Sequence, residues 1–255
     1  MMHDAKQPLA GGNATDDVVR LGDTVRKPWG PTTPAVHDFL RAMAAAGVDV
    51  PEPLGRDGRG RQILEYVPGV LALHSPPLAP ADLVRVGALV RSIHEASVGF
   101  SPSTPPAWDP LIPAPGASAE LLCHGDLAPW NLVIGERWVF IDWDGAGPST
   151  RLWDLAYAAQ SFTLNDPDVA PEAAAELLVA FLDGYGADDA LRAQLPRTMA
   201  ERAEAMLGLL RTSHENGREP WGSMYLSGHG AHWQAVADYV ARHQAVWTQA
   251  LTGTA

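Results

Sequence analysis

Short β-type alternation over roughly the first seventy residues gives way to helical spacing through most of the remaining chain. Val18-Val19-Arg20-Leu21 and Thr24-Val25-Arg26-Lys27 are β-prone runs joined by Gly22-Asp23, which predicts a hairpin. Pro28-Trp29-Gly30-Pro31 breaks that pattern. A helix is expected from Pro34 to Ala46, with Val36, Phe39, Leu40 and Met43 on one face and Gly47 as its stop. Gly58-Arg59-Gly60 then turns the chain into an extended run, Gln62 to Val67, ended by Pro68-Gly69. From Ala81 to Ala96, Leu83, Val86, Leu89, Val90 and Ile93 recur at helical spacing. Six prolines in the sixteen residues from Ser101 to Gly116 predict a loop wrapping the surface. Leu121-Leu122-Cys123-His124 reads as a buried strand, and Leu132–Ile134 pairs naturally with Trp138–Ile141 around Gly135-Glu136-Arg137. The remainder is helical, with one stripe through Met199, Ala203, Met206, Leu207 and Leu210. A second stripe runs through Trp233, Val236, Ala237, Val240, Trp247 and Leu251.

Composition narrows the classes. The chain of 255 residues is 46% hydrophobic and 19% charged, an ordinary globular balance. No run of eighteen apolar residues exists, which argues against a membrane partner. Residues 1–17 lack the apolar centre of a secretory signal and read as a loose polar tail. Cys123 is the sole cysteine, so an internal disulfide is impossible and a cytoplasmic location is expected. The net charge of −12 provides no basic footprint for nucleic acid; the acidic C-terminal two-thirds either attracts cationic ligands or is a solvated surface that aids solubility.

The chemistry concentrates in His124-Gly125-Asp126-Leu127-Ala128-Pro129-Trp130-Asn131 and, one hairpin later, Ile141-Asp142-Trp143-Asp144. Phosphoryl transfer needs a carboxylate to orient the attacking hydroxyl and hard oxygen ligands to hold magnesium against phosphates. Asp126 ends a buried strand, Asn131 lies five residues on, and the short hairpin returns Asp142 beside them. Each alone is an unremarkable turn or strand-end residue; the joint spacing is specific.

Over Leu122–Ala156 the sequence resembles the aminoglycoside phosphotransferase and choline kinase superfamily, in "LCHGDLAPWNLVI" and "FIDWDGAGPSTRLWDLA". The resemblance implies an α+β, two-lobed protein-kinase-like fold with a trimmed N-terminal β-lobe and a mainly helical C-terminal lobe. It implies nucleotide binding and a hinge within 18–69, and catalysis and substrate binding within 70–255. By the same resemblance Asp126 is the catalytic base, His124 shapes its loop, Asn131 and Asp142 ligate magnesium, and Asp144 supports the metal. Asp154 braces the catalytic loop. Arg26 or Lys27 meets the phosphates of ATP, or of GTP in its place; if Lys27 faces inward, Val25 shares its face. Glu65 and Val67 would contact the base through their main chain. Two positions depart from the family pattern: the glycine-rich flap is reduced to Gly22-Asp23, and the helix glutamate expected to anchor the cation falls at Val36, with His37 and Asp38 adjacent. Asp38 could substitute for it. His94 reads as structural, and His229 with His232 lacks a third metal ligand.

The leading expectation is an ATP- and magnesium-dependent kinase of a small-molecule hydroxyl, the acceptor cationic and near acids such as Asp183, Asp188, Asp189, Glu201, Glu204 or Glu215. The second is a non-catalytic binding or immunity protein that sequesters a toxin or antibiotic. The reduced flap and the displaced glutamate favour that second reading.

Overall fold

The computed structural model describes residues 18–253, apart from 107, 109 and 117, together with the backbone of 7–8. The tail expected over residues 1–17 otherwise lies outside the described residues. An antiparallel five-stranded sheet comes first, built from β1 (Gln7–Pro8), β2 (Val19–Leu21), β3 (Thr24–Lys27), β4 (Pro53–Arg56) and β5 (Gln62–Glu65), in the order β1-β2-β3-β5-β4. Helix α1 (Thr33–Ala45) begins with Pro34 in its first turn, where a missing N–H does no harm, and buries Val36, Phe39, Leu40 and Met43 as its spacing predicts. His37 is buried as well.

The chain leaves the sheet at Glu65 and enters a smaller three-stranded sheet, where β6 (Val70–Leu71) pairs with β8 (Leu132–Ile134) and β8 with β9 (Trp138–Phe140). Val67, Val133 and Val139 form a separate apolar cluster under this crossing. Backbones meet there without side chains between them. A Cβ on Gly69 would lie 2.5 Å from the Ile134 carbonyl oxygen, and one on Gly135 would lie 2.5 Å from that of Pro68. Arg137, from the β8–β9 turn, forms ion pairs with Asp49 at 2.8 Å and with Glu65.

Helices make up the rest. They are α2 (Pro80–Ser97), α3 (Arg151–Thr163), α4 (Pro171–Tyr185), α5 (Asp189–Asn216), α6 (Trp221–Met224), α7 (Gly230–Arg242) and α8 (Gln244–Thr252). Side-chain oxygens start two of them: Thr150 accepts from the Trp153 amide at 3.2 Å, and Asp188 from that of Leu191 at 2.8 Å. The apolar stripe expected as one unit from Trp233 to Leu251 is divided between α7 and α8 by a break at His243, yet all six of its residues are buried. Strand β7 (Leu121–Cys123) pairs with β10 (Gly147–Ser149), a short strand that Gly-Pro-Ser composition does not announce. The proline-rich segment carries no helix or strand among its described residues. It is fastened where the Trp153 indole donates to the Ile112 carbonyl at 3.1 Å. No helix among the described residues is long and apolar enough to cross a membrane.

Gly135→Ala should lower stability by about 1–3 kcal/mol, because the new methyl overlaps the Pro68 carbonyl. Gly208→Ala, where the added methyl meets nothing in mid-helix α5, should raise it by about 0.5–1 kcal/mol. Urea unfolding of both variants checks the pair.

Candidate active site

Strand pairing fixes the cleft face of the first sheet. Lys27 lies opposite Gln62, and Val25 opposite Leu64, in the β3–β5 register. The Lys27 side chain therefore turns inward. It is 6% exposed, with its ammonium on Asp142 and, at 2.7 Å, on Asp144. Arg26 takes the other face, 3.7 Å from the Asp57 carboxylate. Desolvation alone would lower the Lys27 pKa, but the charges and hydrogen bonds of Asp142 and Asp144 lift it well above the ordinary lysine value. Burial alone would raise Asp142, and the Lys27 ammonium instead holds its carboxyl below the usual range. No acidic side chain of α1 reaches Lys27. Asp38 bonds Arg41 at 3.2 Å and the Ser103 hydroxyl, so it does not substitute for the displaced glutamate. Val36 is buried in the core, and His37, one position past it, is the α1 side chain that reaches the site, through Gln62.

The candidate segment from His124 to Asp144 is organised around Ile141. Its carbonyl accepts from His124 Nε2 at 3.0 Å, and its amide donates to the Asn131 carbonyl at 2.8 Å. His124 Nδ1 accepts from the Asp126 amide at 3.2 Å, which fixes the proton on Nε2. Asp142 follows with φ 64, the one non-glycine residue of positive φ among the described residues. Backbone held in that region is a local strain of the sort that gathers at functional sites.

Asp126 is half-buried on the cleft floor. Its carboxylate accepts from the Trp130 indole at 3.2 Å and from Asn131 Nδ2 at 2.7 Å, and it shares a hydrogen bond with the Tyr157 hydroxyl. Burial nevertheless pushes its pKa up. Because Asn131 Nδ2 also donates to the Asp126 carbonyl at 2.9 Å, the amide nitrogen is fully committed and Oδ1 is left for another partner. Behind Tyr157 lies Arg202, 4% exposed, its guanidinium 4.0 Å above the phenol ring and its Nη1 without a hydrogen-bond partner among the described residues. Burial draws the Arg202 pKa down against the opposing charges of Tyr157, Asp126 and Asp154.

Asp154 is buried beneath this loop. One oxygen accepts from the Gly125 amide at 3.0 Å and the other from His94 at 3.1 Å. Arg151 donates to the Tyr185 hydroxyl at 2.9 Å, so that hydroxyl donates onward to His94 Nδ1 at 2.9 Å, and His94 presents Nε2–H to Asp154. Burial would raise Asp154, but His94, His124 and the Gly125 amide bring its pKa below the ordinary value. His94, Cys123 and Asp154 could superficially suit a metal. Both His94 nitrogens and both Asp154 oxygens are already engaged, and burial pushes the Cys123 thiol far up. Elsewhere, the Glu65 amide donates to the Glu52 carbonyl at 2.9 Å, while Val67, 6% exposed, has no backbone partner among the described residues. His232 bonds Asn165 at 3.3 Å and His229 approaches the Ser227 hydroxyl at 3.4 Å, so the two are engaged separately.

The donor set suits a hard divalent cation: two carboxylates and a free amide oxygen on one side of the cleft, with no sulfur or imidazole ligand among them. Tyr157, Arg202 and Gln62 were not singled out from the sequence, whereas Trp130 lies inside the motif and His37 entered only as a neighbour of the displaced glutamate position. Of the first three, Tyr157 carried a signal, lying one helical turn beyond Asp154.

The chain matches the phosphotransferase enzyme family, APH, over residues 7–111 and 102–202. It belongs to that family. A trifolitoxin immunity protein of Rhizobium leguminosarum bv. trifolii is 31% identical over 192 residues, covering 70% of this chain and 73% of that relative. A choline/ethanolamine kinase family protein from Mesorhizobium loti shares 20% identity at a TM-score of 0.58, covering 98% of this chain and 93% of its own. Amicoumacin kinase, solved with AMP-PNP, Ca2+ and Ami, shares 15% identity at a TM-score of 0.64, over 91% of this chain and 88% of its own. The fold is accordingly two-lobed and protein-kinase-like, with a small sheet lobe and a mainly helical one.

His94→Leu should lower stability by about 2 kcal/mol, since it strips a hydrogen bond from a buried carboxylate. The Asp154 pKa is depressed by folding, so its stabilisation is present in full above its unfolded value and disappears as pH falls through the folded one. The gap between wild type and variant should be widest at neutral pH and narrow as the pH falls below the ordinary carboxylate range, as followed by urea unfolding from neutral into acid.

Proposed function

We propose that this protein is an ATP-dependent phosphotransferase that moves the γ-phosphoryl group onto a hydroxyl of a small molecule. The observation that carries the reading is the convergence of Asp126, Asn131 and Asp142 through the two hydrogen bonds of the Ile141 peptide. Asp126 is the base: its carboxylate is half-open to the cleft, held by Trp130 and Asn131, and oriented to receive the proton of an incoming hydroxyl. Lys27 is the group that meets the phosphates, once released from the two acids it bridges. Asn131 Oδ1, Asp142 and Asp144 would hold magnesium, whose charge neutralises the phosphate oxygens. The Val67 backbone, with the Glu65 carbonyl, is the edge offered to adenine, and guanine would meet the same atoms.

An amino alcohol or aminoglycoside-like acceptor fits the acidic balance of the chain. Three of the candidate acids carry less weight, because Asp183 pairs with Arg192 at 2.7 Å, Glu201 with Arg197 at 2.9 Å, and Asp188 caps α5. The cytoplasm supplies the nucleotide and keeps Cys123 a free thiol.

A second reading is favoured by the immunity-protein relative and by the missing acid of α1: a kinase-fold protein that sequesters a toxin or antibiotic without turnover. ADP release, screened against aminoglycosides, amino alcohols, macrolides and sugars with magnesium, separates the two. Turnover with any of them supports the kinase. Tight binding of a toxin or antibiotic without ADP release supports sequestration. Within the kinase reading, Asp126→Asn should fold normally and lose roughly 100- to 10,000-fold in kcat. Asp142→Ala should weaken magnesium-nucleotide binding in calorimetry.

A further inference from the structure

The place of an acid on α1 opposite Lys27 is taken by a neutral relay. Gln62 is 1% exposed, and its side-chain nitrogen donates to two acceptors, Asp144 Oδ1 and the Pro28 carbonyl, each at 3.1 Å. With both amide protons used, Gln62 Oε1 must accept, and it faces His37 Nε2 at 3.3 Å. His37 is 2% exposed and burial lowers its pKa, so it is the neutral Nε2–H tautomer that donates. Trp29 packs its ring edge-on against His37 at 5.4 Å, and the Arg56 guanidinium lies 5.0 Å over Trp29. A continuous chain of contacts thus runs from β4 through the loop before α1, through α1 itself, to the carboxylate of Asp144.

We propose that Gln62, backed by His37, is a positioning pair that holds Asp144 toward the divalent-cation site. The proposal rests on the nucleotide-binding reading above. Charge explains why an amide serves. Lys27, Asp142 and Asp144 sum to −1 around the cleft, from one cation and two acids. A glutamate at 62 would add a third carboxylate beside a single ammonium and would repel Asp144, whereas the amide donates to it. Gln62 touches neither phosphate nor acceptor, so its effect is on the geometry of the ligand and not on the chemical step.

The test is calorimetric binding of AMP-PNP to the full chain, with magnesium and in EDTA, for wild type, Gln62→Leu, His37→Phe and His37→Gln. Gln62→Leu should weaken magnesium-dependent binding by about ten-fold or more, in line with the loss of an outer partner of a metal ligand, and leave binding in EDTA unchanged. His37→Phe, which keeps the volume and removes the donor, should weaken it less, and His37→Gln, which restores an N–H, should recover it. Circular dichroism melting shows which variants fold, and His37→Phe carries the test should Gln62→Leu not fold. Equal weakening with and without magnesium would overturn the positioning role, as would unchanged binding in a folded Gln62→Leu. Wild-type protein showing no magnesium-dependent binding at all would overturn the nucleotide reading itself.

Discussion

A single buried carboxylate braces the candidate site. The two oxygens of Asp154 serve different parts of the fold: one receives the Gly125 amide, in the loop that bears Asp126, and the other receives His94 from α2. A charge removed from water is tolerated only when its hydrogen-bonding capacity is met, and here the Tyr185 hydroxyl and Arg151 behind it complete the chain. The loop geometry is therefore not free to relax independently of α2, α3 and α4. Gly125 contributes by having no side chain, since a Cβ at its φ of 83 would stand 2.9 Å from the Gly145 carbonyl.

Above this brace the cleft is electrostatically divided. The Lys27 side manages its acids by direct ion pairing, whereas the Asp126 side uses neutral donors, Trp130, Asn131 and Tyr157. The buried cation nearest in character to a counterion for that side is Arg202, which reaches Asp126 only through the face of Tyr157. The two carboxylates consequently differ in affinity for protons, with Asp142 drawn down by its lysine and Asp126 pushed up by burial. In the kinase reading proposed above, one would remain anionic beside a metal and the other would exchange a proton.

The proximity of the candidate residues was legible because they lie within about twenty residues, joined by one turn and one hairpin, so that spacing alone nearly determines it. The main helices showed their buried faces for the same reason. What escaped depended on tertiary register. Strand alternation leaves Lys27 and Arg26 equivalent until β3 is paired with β5, and Gln62 becomes part of the site only through that pairing. An offset of one residue on α1 rotates a side chain by about 100°, which is why Val36 and Asp38 were plausible and His37 is the residue that reaches the site, through Gln62. Arg202 lies far along the chain, on a helix whose pattern marks core and no more. The break between α7 and α8 has no glycine or proline to announce it.

The backbone contact between Gly69 and Gly135 limits how the molecule can gape. With Pro68 and Gly69 lying directly on Ile134 and Gly135, the connection between lobes is clamped to the floor at its lower end. Arg137 adds an electrostatic clasp to Glu65 at its upper end. The fulcrum for any jaw-like movement is thereby confined to the few peptides from Glu65 to Val67, the stretch proposed above to meet the nucleotide base. Entry of a planar ring and tilting of the upper jaw would share one short lever.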